Sequence, residues 1–249
     1  PDGGAGVAAG PWKVCRATVS ESGTCSGCSR TLEVVDLEPE ESQALADGIL
    51  KLASQRENKQ DSFKKFEEWL ERRGPFKVLI DGANVGMFGQ NHEDSAFSYR
   101  QVQKLYQYLQ KLGLDDKNAP LLVLHQRRTR GKDLGNCGAQ VLDQVKRAGG
   151  LFTSPGGSND DWYWLYAAVK AGKEGMLVTN DLMRDHIFQV LSPKYFNKWK
   201  QRHQVHFAFG HGGPECTFPP PFTQCIQEVP GAAWHFPNEE GSEWLCAQR

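Results

Sequence analysis

The chain has 249 residues, with 29 basic and 30 acidic side chains, 24% charged residues, 39% hydrophobic residues and a formal net charge of -1. This composition is typical of a globular protein and excludes a disordered or collagen-like chain. The longest apolar run spans eight residues, 162–169, whereas roughly 20 are needed to cross a bilayer, so a transmembrane protein is also excluded.

The amino end and the cysteine count exclude further kinds of protein. The first ten residues, PDGGAGVAAG, combine no basic segment with an apolar one, so they are not a secretory signal and predict the flexible edge of a fragment or processed chain. Seven cysteines is an odd number, which favours metal ligation or simple burial over a disulfide framework. The near-zero net charge means that local patches must hold any polyanionic partner.

The amino-terminal third divides into a small polar module and a helical segment. Residues 14–35 are rich in Gly, Ser and Thr, and the apolar residues at 32, 34 and 35 predict a strand. From Glu38 to Arg73 the apolar residues recur at helical spacing, which predicts two amphipathic helices that end at Gly74-Pro75.

The following residues alternate between short apolar runs and helical patterns. The predicted strands cover 78–80, 121–124, 151–152, 176–178 and 205–209, with helical stretches such as 99–112 and 141–147 between them. Continuous apolar strands indicate a sheet that is covered on both faces. The sequence therefore predicts a mostly parallel α/β domain over 38–211, while the Gly- and Pro-rich tail, 212–249, resembles the head.

Acidic residues follow the ends of several predicted strands. Asp81 ends the first strand, Asp160 and Asp161 follow the third, and Asp181 ends the fourth, with Asp185 one helical turn further on. The carboxyl ends of parallel strands meet at one edge of a sheet, where ligands bind. Converging carboxylates need a neutralising cation, and hard oxygen ligands select Mg²⁺ or Mn²⁺.

A structural explanation of these acids stands beside the metal site. Asp160 and Asp161 also suit a helix start, with Ser158 or Asn159 as the N-cap, and Asp81 or Asp181 alone could be a solvated loop acid. Their coincidence on one edge favours the site. No Walker A loop and no nucleophile elbow is present, and Ala83 replaces the second aspartate of a phosphoaspartyl hydrolase. Metal-activated water is therefore the remaining nucleophile.

Three long motifs in order carry a specific resemblance. VLIDGANV (78–85), PGGSNDDWYWLY (155–166) and TNDLMRDH (179–186), continued by WKQRHQV (199–205) and WHFP (234–237), resemble the NYN (PIN-like) metallonuclease domain of protein-only ribonuclease P, most closely the plant and algal single-subunit type. The resemblance covers nearly the whole chain. It implies a PIN-like α/β fold over 38–211 and a small zinc-stapled β module made from 11–37 and 212–249.

The resemblance also implies an activity. Such an enzyme removes the 5′ leader of precursor tRNA as an endonuclease, leaving a 5′-phosphate and a 3′-hydroxyl, with two Mg²⁺ or Mn²⁺ ions and no obligatory protein partner. Asp81, Asp160, Asp161 and Asp181 match the metal-binding acids of the family, and Asp185 matches a further acid. His186 is a tempting general base, but a lone His beside apolar helix residues more often has a structural role.

Cys25 and Cys28 form a Cys-x-x-Cys pair, the spacing that lets two thiolates share one Zn²⁺. Spacing leaves four candidates for the other two ligands: Cys216, Cys225, His235 and Cys246. The resemblance selects His235 and Cys246, and so implies a structural zinc that joins the head of the chain to its tail. A redox Cys-x-x-Cys is the rival interpretation, but its flanks here are Gly, Ser and Thr rather than a helix start.

Two basic runs are candidates for RNA binding. Arg127, Arg128, Arg130 and Lys132 follow the second strand and fall on the same edge as the acids, where they could bind phosphates. Lys194, Lys198, Lys200 and Arg202 lie among aromatic residues at helical spacing, which more often marks a solvated face over a core stripe. The aromatics from Trp162 to Tyr166 are likewise predicted as helix core.

This sequence departs from the family pattern in the part that recognises tRNA. The enzymes that the chain resembles carry an amino-terminal array of pentatricopeptide repeats, and nothing before Pro11 could be one. Two alternatives stay open: a PIN-like nuclease for other RNA, and a zinc-stapled RNA-binding module without cleavage. Proteins of this kind are intracellular, in mitochondria, plastids or nuclei, and this sequence does not select among them.

Overall fold

The computed structural model of the chain describes residues 10–34, 36–57, 60–89, 97–115, 117–130, 134–184 and 193–249. It divides into two compact units, and each is described by itself. The larger unit is Asp36–Pro219, and the smaller one combines the two chain ends, up to residue 35 and from Pro220 onward. None of the helices in the described ranges is both long and apolar enough to cross a membrane.

The larger unit contains a six-stranded sheet that is mostly parallel, as predicted. Its order is β4-β3-β2-β5-β6-β7, in which only β7 runs antiparallel to its neighbour. In chain order the strands are β2 (Val78–Asp81), β3 (Leu121–His125), β4 (Leu151–Ser154), β5 (Met176–Val178), β6 (Gln204–Gly210) and β7 (Gly213–Thr217). The five predicted strands correspond to β2 to β6.

Helices cover both faces of this sheet. They are α1 (Pro39–Glu57), α2 (Gln60–Arg73), α3 (Gly82–Met87), α4 (Tyr99–Leu112), α5 (Gly135–Arg147), α6 (Asp160–Lys170) and α7 (Pro193–His203). Alternate residues of a strand point to opposite faces: Leu79 packs in a core with α1, α2, α6 and α7, whereas Val78 and Ile80 pack with α4 and α5. The two faces explain why the strands are apolar at every position.

The strand order creates a crevice at one place. From β2 the chain steps outward through β3 to β4, then returns to β5 on the other side of β2 and continues to β6. Connections leave β2 and β5 toward opposite faces at such a reversal, so a gap opens at their carboxyl ends. Asp81 is the last residue of β2, and Thr179 follows β5 directly.

The smaller unit is built on a four-stranded antiparallel sheet of order β1-β10-β9-β8. Its strands are β1 (Lys13–Ala17), β8 (Gln227–Val229), β9 (Ala233–Pro237) and β10 (Trp244–Gln248). The two chain ends pair directly, with Cys15 opposite Cys246. A small core that includes Leu32, Phe222 and Trp244 supports the sheet.

Two details of this unit differ from the prediction. The predicted strand at the end of the head is wrong for Leu32 to Val34, which form no strand, and Val35 lies outside the described residues. Leu32 is buried in the small core, and its amide donates to the Gly23 carbonyl in an irregular turn. The carboxyl-terminal division also falls later than the predicted boundary at 211, because β7 pairs with β6 along its whole length.

Candidate functional site

Asp81 lies at the base of the crevice. Its side chain is 3% exposed and caps α3, with Oδ1 accepting from the Asn84 amide at 3.0 Å and Oδ2 accepting from the Thr179 hydroxyl at 2.9 Å. Burial raises the pKa of Asp81 to about 7, and the charges of Asp161 and Asp160 add to the rise against the two hydrogen bonds. This carboxylate is therefore held in an environment that disfavours its charge unless a cation is near.

The segment after β5 is fixed by hydrogen bonds to Asn84 and Gln204 and by one hydrogen bond within the segment. The Asn180 amide donates to Asn84 Oδ1 at 2.9 Å, and the Asp181 amide donates to Thr179 Oγ1 at 3.1 Å. Gln204, the buried first residue of β6, donates from Nε2 to the carbonyls of Thr179 and Asp181, each at 2.9 Å. The backbone that carries Asp181 is thus rigidly supported.

Asp160 and Asp161 open α6 from the same edge. Asn159 is the N-cap, and its Oδ1 accepts from the Asp161 amide at 3.1 Å, so one of the two predicted caps is observed together with the acid pair. Burial and the charge of Asp161 raise the pKa of Asp160, and the nearby His125 and Arg127 oppose that rise. The start of α6 therefore combines an N-cap with the two acids of the candidate site.

The four acids lie at the carboxyl-end edge of the sheet, but they do not form one close cluster. Asp161 and Asp181 line a cleft of about 530 Å³, together with Asn84, Asn180 and residues 182–184. Asp81 and Asp160 are coupled to Asp161 by charge. Within the described ranges these carboxylates are not among the groups of three or more donors close enough to hold one ion directly. Asp185 and His186 lie outside the described residues.

A second cluster forms in the smaller unit from Cys25, Cys28, His235 and Cys246. Their ligand atoms all lie within 4.8 Å of one another, and Cys28 Sγ is 3.1 Å from His235 Nε2. The β9–β10 register places His235 opposite Cys246, and the Cys25–Cys28 turn supplies the other two sulfurs. The Cys-x-x-Cys pair and the two residues that the resemblance selected are therefore brought together, and they could hold a metal ion.

The chemistry of this donor set suits a soft or borderline cation. Burial raises the pKa of the Cys246 thiol, and the neighbouring Cys28 and Cys25 sulfurs raise it further, while burial lowers the pKa of His235. Without a cation these surroundings therefore favour the protonated Cys246 thiol and the neutral His235 imidazole. Three sulfurs and one imidazole nitrogen form a donor set that Zn²⁺ takes.

The other candidate thiols do not join this cluster. Cys216 lies on β7 of the larger unit, opposite Phe207. Cys225 lies in the smaller unit but outside the four-residue group. The fold thus separates Cys216 and Cys225 from the cluster, whereas the spacing of residues in the sequence left both as candidates.

The family model described as protein-only RNase P matches residues 19–246 of this chain. The chain belongs to the protein-only RNase P family. Among its relatives, Proteinaceous RNase P 2 of Arabidopsis thaliana is 40% identical over 98% of this chain and 48% of that protein. The mitochondrial ribonuclease P catalytic subunit of Mus musculus is 29% identical over 96% of this chain and 42% of that protein.

A solved structure agrees with this assignment. The crystal structure of nuclear proteinaceous RNase P 2 from A. thaliana matches with a TM-score of 0.78 and 39% identity, over 96% of this chain and 50% of that chain. The resemblance read from the three motifs and the predicted fold class are both confirmed. This protein-only RNase P chain spans about half the length of the relatives that it matches.

The first basic run of this family member lies partly at the acidic edge. Arg127 sits in a 3-10 turn after β3, and its charge acts on Asp160. Arg128 makes local contacts, with its guanidinium 4.9 Å from the Phe97 ring centroid. Arg130 is exposed, and Lys132 lies outside the described residues. Arg127 is therefore the member of the run whose link to the acids is visible.

The aromatic residues of the second basic run and of α6 are mostly buried in the core, as predicted. Phe196 and Trp199 of α7 are buried, and so are the aromatic side chains of α6. Lys198 forms an ion pair with Glu41 at 2.7 Å. Lys200 differs, because its Nζ donates to the Leu182 carbonyl beside Asp181 at 2.6 Å.

Sequence reasoning missed the residues that support the acids. Asn84, Thr179, Gln204 and Lys200 contact Asp81 or the Asp181 segment. Asn84 and Thr179 stand in the quoted motifs, so their position beside an acid was a usable signal. Gln204 and Lys200 also stand in a quoted motif, WKQRHQV, but that motif contains no acid, and a polar residue before a strand and a lysine on a basic helix are both common.

Proposed function

We propose that this chain is the catalytic part of a ribonuclease P-type endoribonuclease that removes the 5′ leader of precursor tRNA. Membership of the protein-only RNase P family and the names of the relatives support this activity. The observation that carries it is the meeting of Asp81, Asp160, Asp161 and Asp181 at the crevice between β2 and β5. Asp36–Pro219 would be the NYN metallonuclease domain, and the smaller unit a zinc-binding central domain.

A divalent cation fits the acidic crevice. A buried carboxylate with its pKa raised to about 7, beside three further acids, is stabilised in its charged form by a hard cation such as Mg²⁺ or Mn²⁺. Asp81 and Asp181 would bind directly, and the adjacent Asp160 and Asp161 point in different directions, so one of them would act through water. Asp185, which matches a further family acid, belongs to the same proposal.

The reaction is the hydrolysis of one phosphodiester bond. The oxygen of a water molecule bonds to phosphorus, the bond from phosphorus to the leader's 3′ oxygen breaks, and that oxygen takes a proton. The products are a 5′-phosphate on the tRNA and a 3′-hydroxyl on the leader. Two bound ions would supply Lewis acid chemistry by lowering the pKa of water and neutralising charge on the phosphate and the leaving oxygen.

The chain's own residues orient this chemistry. Thr179 and Asn84 hold both oxygens of Asp81 in fixed directions, and Gln204 holds the backbone that carries Asp181. Preorganised groups of this kind need no rearrangement when the substrate binds. Arg127, Arg128, Arg130 and Lys132 are proposed to bind RNA phosphates at the same edge, which a near-neutral protein must do locally.

Cys25, Cys28, His235 and Cys246 are proposed to hold a structural Zn²⁺. Ligand atoms within 4.8 Å of one another support this ion, because tetrahedral Zn–S bonds of about 2.3 Å place sulfur atoms about 3.8 Å apart. The ion would stabilise a sheet with a small core by joining the two ends of the chain. The mitochondrion, plastid or nucleus is the proposed compartment, in keeping with the names of the relatives.

Cleavage of 5′-labelled precursor tRNA by this chain tests the function. We expect a cut at the mature 5′ end in Mg²⁺ and none in EDTA. In an Asp160→Asn/Asp161→Asn variant we expect the cleavage rate to fall by about 1,000-fold or more, because each removed ligand charge weakens the binding of the catalytic ions. Asp143→Asn, which alters an exposed aspartate that pairs with Arg147, is the matched control. Scattered cuts would indicate a nuclease for other RNA, and no cut at high protein concentration would count against the proposal.

A further inference from the structure

The side chain of Lys200, on α7, is directed toward the segment that carries Asp181. Its half-buried ammonium donates to the Leu182 carbonyl at 2.6 Å. Burial lowers the pKa of Lys200, and the charge of Asp181 opposes that change. An ammonium that loses hydration in this way is held by its partners rather than by solvent. Its surroundings therefore connect it to the segment that carries Asp181.

That segment has a backbone conformation that needs external support. Met183 has φ 52°, in the left-handed region that side chains other than glycine disfavour. Its side chain is buried, and its amide donates to Asp181 Oδ1 at 3.0 Å. The turn thus both orients the Asp181 carboxylate and costs conformational energy, so contacts from elsewhere must hold it.

Lys200 and Gln204 supply such contacts to successive carbonyl groups. Gln204 binds the carbonyls of Thr179 and Asp181, and Lys200 binds the next one, that of Leu182. Lys198, on the same helix, is directed elsewhere and pairs with Glu41. The two lysines therefore provide a matched pair, one at the crevice and one away from it.

We infer that Lys200 is a positioning residue, which fixes the Leu182 carbonyl and offsets the charge of Asp181 so that this carboxylate keeps its direction into the crevice. The inference deepens the cleavage activity proposed above and rests on it. An alternative role, direct contact with an RNA phosphate, predicts a different set of results. Three variants separate the two: Lys200→Met removes donor and charge, Lys200→Arg keeps both, and Lys198→Met is the control.

The first readout does not depend on RNA. Hydrogen exchange of the amides of 181–184 in the RNA-free chain should become at least tenfold faster in Lys200→Met, since a charge-assisted hydrogen bond to the backbone is lost. Lys200→Arg should restore much of the protection, and Lys198→Met should leave it unchanged. Unchanged exchange of the β2 amides shows that the variants are folded. Equal exchange in Lys200→Met and the unmodified chain overturns the inference.

The second readout is the kinetics of precursor tRNA cleavage. A positioning residue predicts that kcat falls about tenfold in Lys200→Met with KM unchanged, and that Lys200→Arg recovers most of the rate. A raised KM with unchanged kcat, and a weaker dependence of RNA binding on salt, would instead identify a phosphate contact and overturn the inference. If the unmodified chain cuts no precursor tRNA, the proposed function fails, and the exchange measurement still decides the role of Lys200.

Discussion

At the residue scale, Asp81 combines a buried carboxylate with a place at the base of the crevice. Its pKa is raised from 3.8 to about 7, so between these values the folded protein keeps a proton that the unfolded chain has released. Folding then takes up a proton, and the free energy of unfolding of the metal-free protein falls as the pH rises through this window. In the metal-free protein, the ionised form of Asp81 therefore destabilises the fold.

Asp81→Asn should remove this pH dependence. The amide cannot ionise, and it keeps an oxygen for the Asn84 amide and an NH₂ group for Thr179 Oγ1. We expect the metal-free variant to be more stable than the unmodified chain by about 2 to 4 kcal/mol at pH 8, with little difference at pH 4. Urea unfolding in EDTA at both pH values measures this. A parallel pH dependence in the variant would show that other groups cause it.

At the element scale, the Cys25–Cys28 turn depends on the absence of a side chain. A Cβ on Gly27 would lie 2.9 Å from Cys15 Sγ and 3.0 Å from Cys246 Cβ, which is closer than carbon and sulfur atoms pack. Cys15 and Cys246 are opposite each other on β1 and β10, so they cannot move apart without disturbing the ladder. Because Gly27 has no side chain, the turn can approach the sheet as closely as the proposed shared ion would require.

Gly27→Ala should therefore weaken the four-residue cluster. Overpacking of this kind costs about 1 to 3 kcal/mol, which we expect to appear as a lower affinity for Zn²⁺ in competition with a chromophoric chelator. Gly10→Ala, at a glycine of the same unit with no atoms near its Cβ position, is the control. Relief of the defect by adding Cys15→Ala would locate the clash, and wild-type affinity in Gly27→Ala would contradict this account of the turn.

At the scale of the whole molecule, the two units have separate cores, and the two proposed metal sites lie in different units. The smaller unit has few buried apolar residues, so the proposed Zn²⁺ would supply much of its folding free energy. Removal of Zn²⁺ with a strong chelator should expose the amides of β9 and β10 to hydrogen exchange while those of β2 and β3 stay protected. Cys216→Ser, in the larger unit, should respond as the unmodified chain does. Simultaneous loss of protection in both units would mean that they unfold as one.

The sequence predicted the elements that have a local pattern of apolar residues. It missed the features that depend on partners far away in the chain. Apolar runs located β2 to β6, and the acids after them located the crevice. The β7 strand, with Gly213 and Pro214, has no strand-like pattern and is defined by pairing with β6. Leu32 has the composition of a strand residue, yet its amide and side chain find partners in a turn. Lys200 and Leu182 meet only because α7 ends beside β5.

The pairing of β1 with β10 also sets an order of events during synthesis. The ribosome delivers β1 early, but its partner strand, and the two donors on β9 and β10, only after the whole Asp36–Pro219 unit has been made. The larger unit can complete its sheet while the chain is still growing, whereas the smaller one must wait for β9 and β10 and then for the proposed ion. In a cell short of that ion, chains with a folded larger unit and a protease-sensitive smaller unit would accumulate.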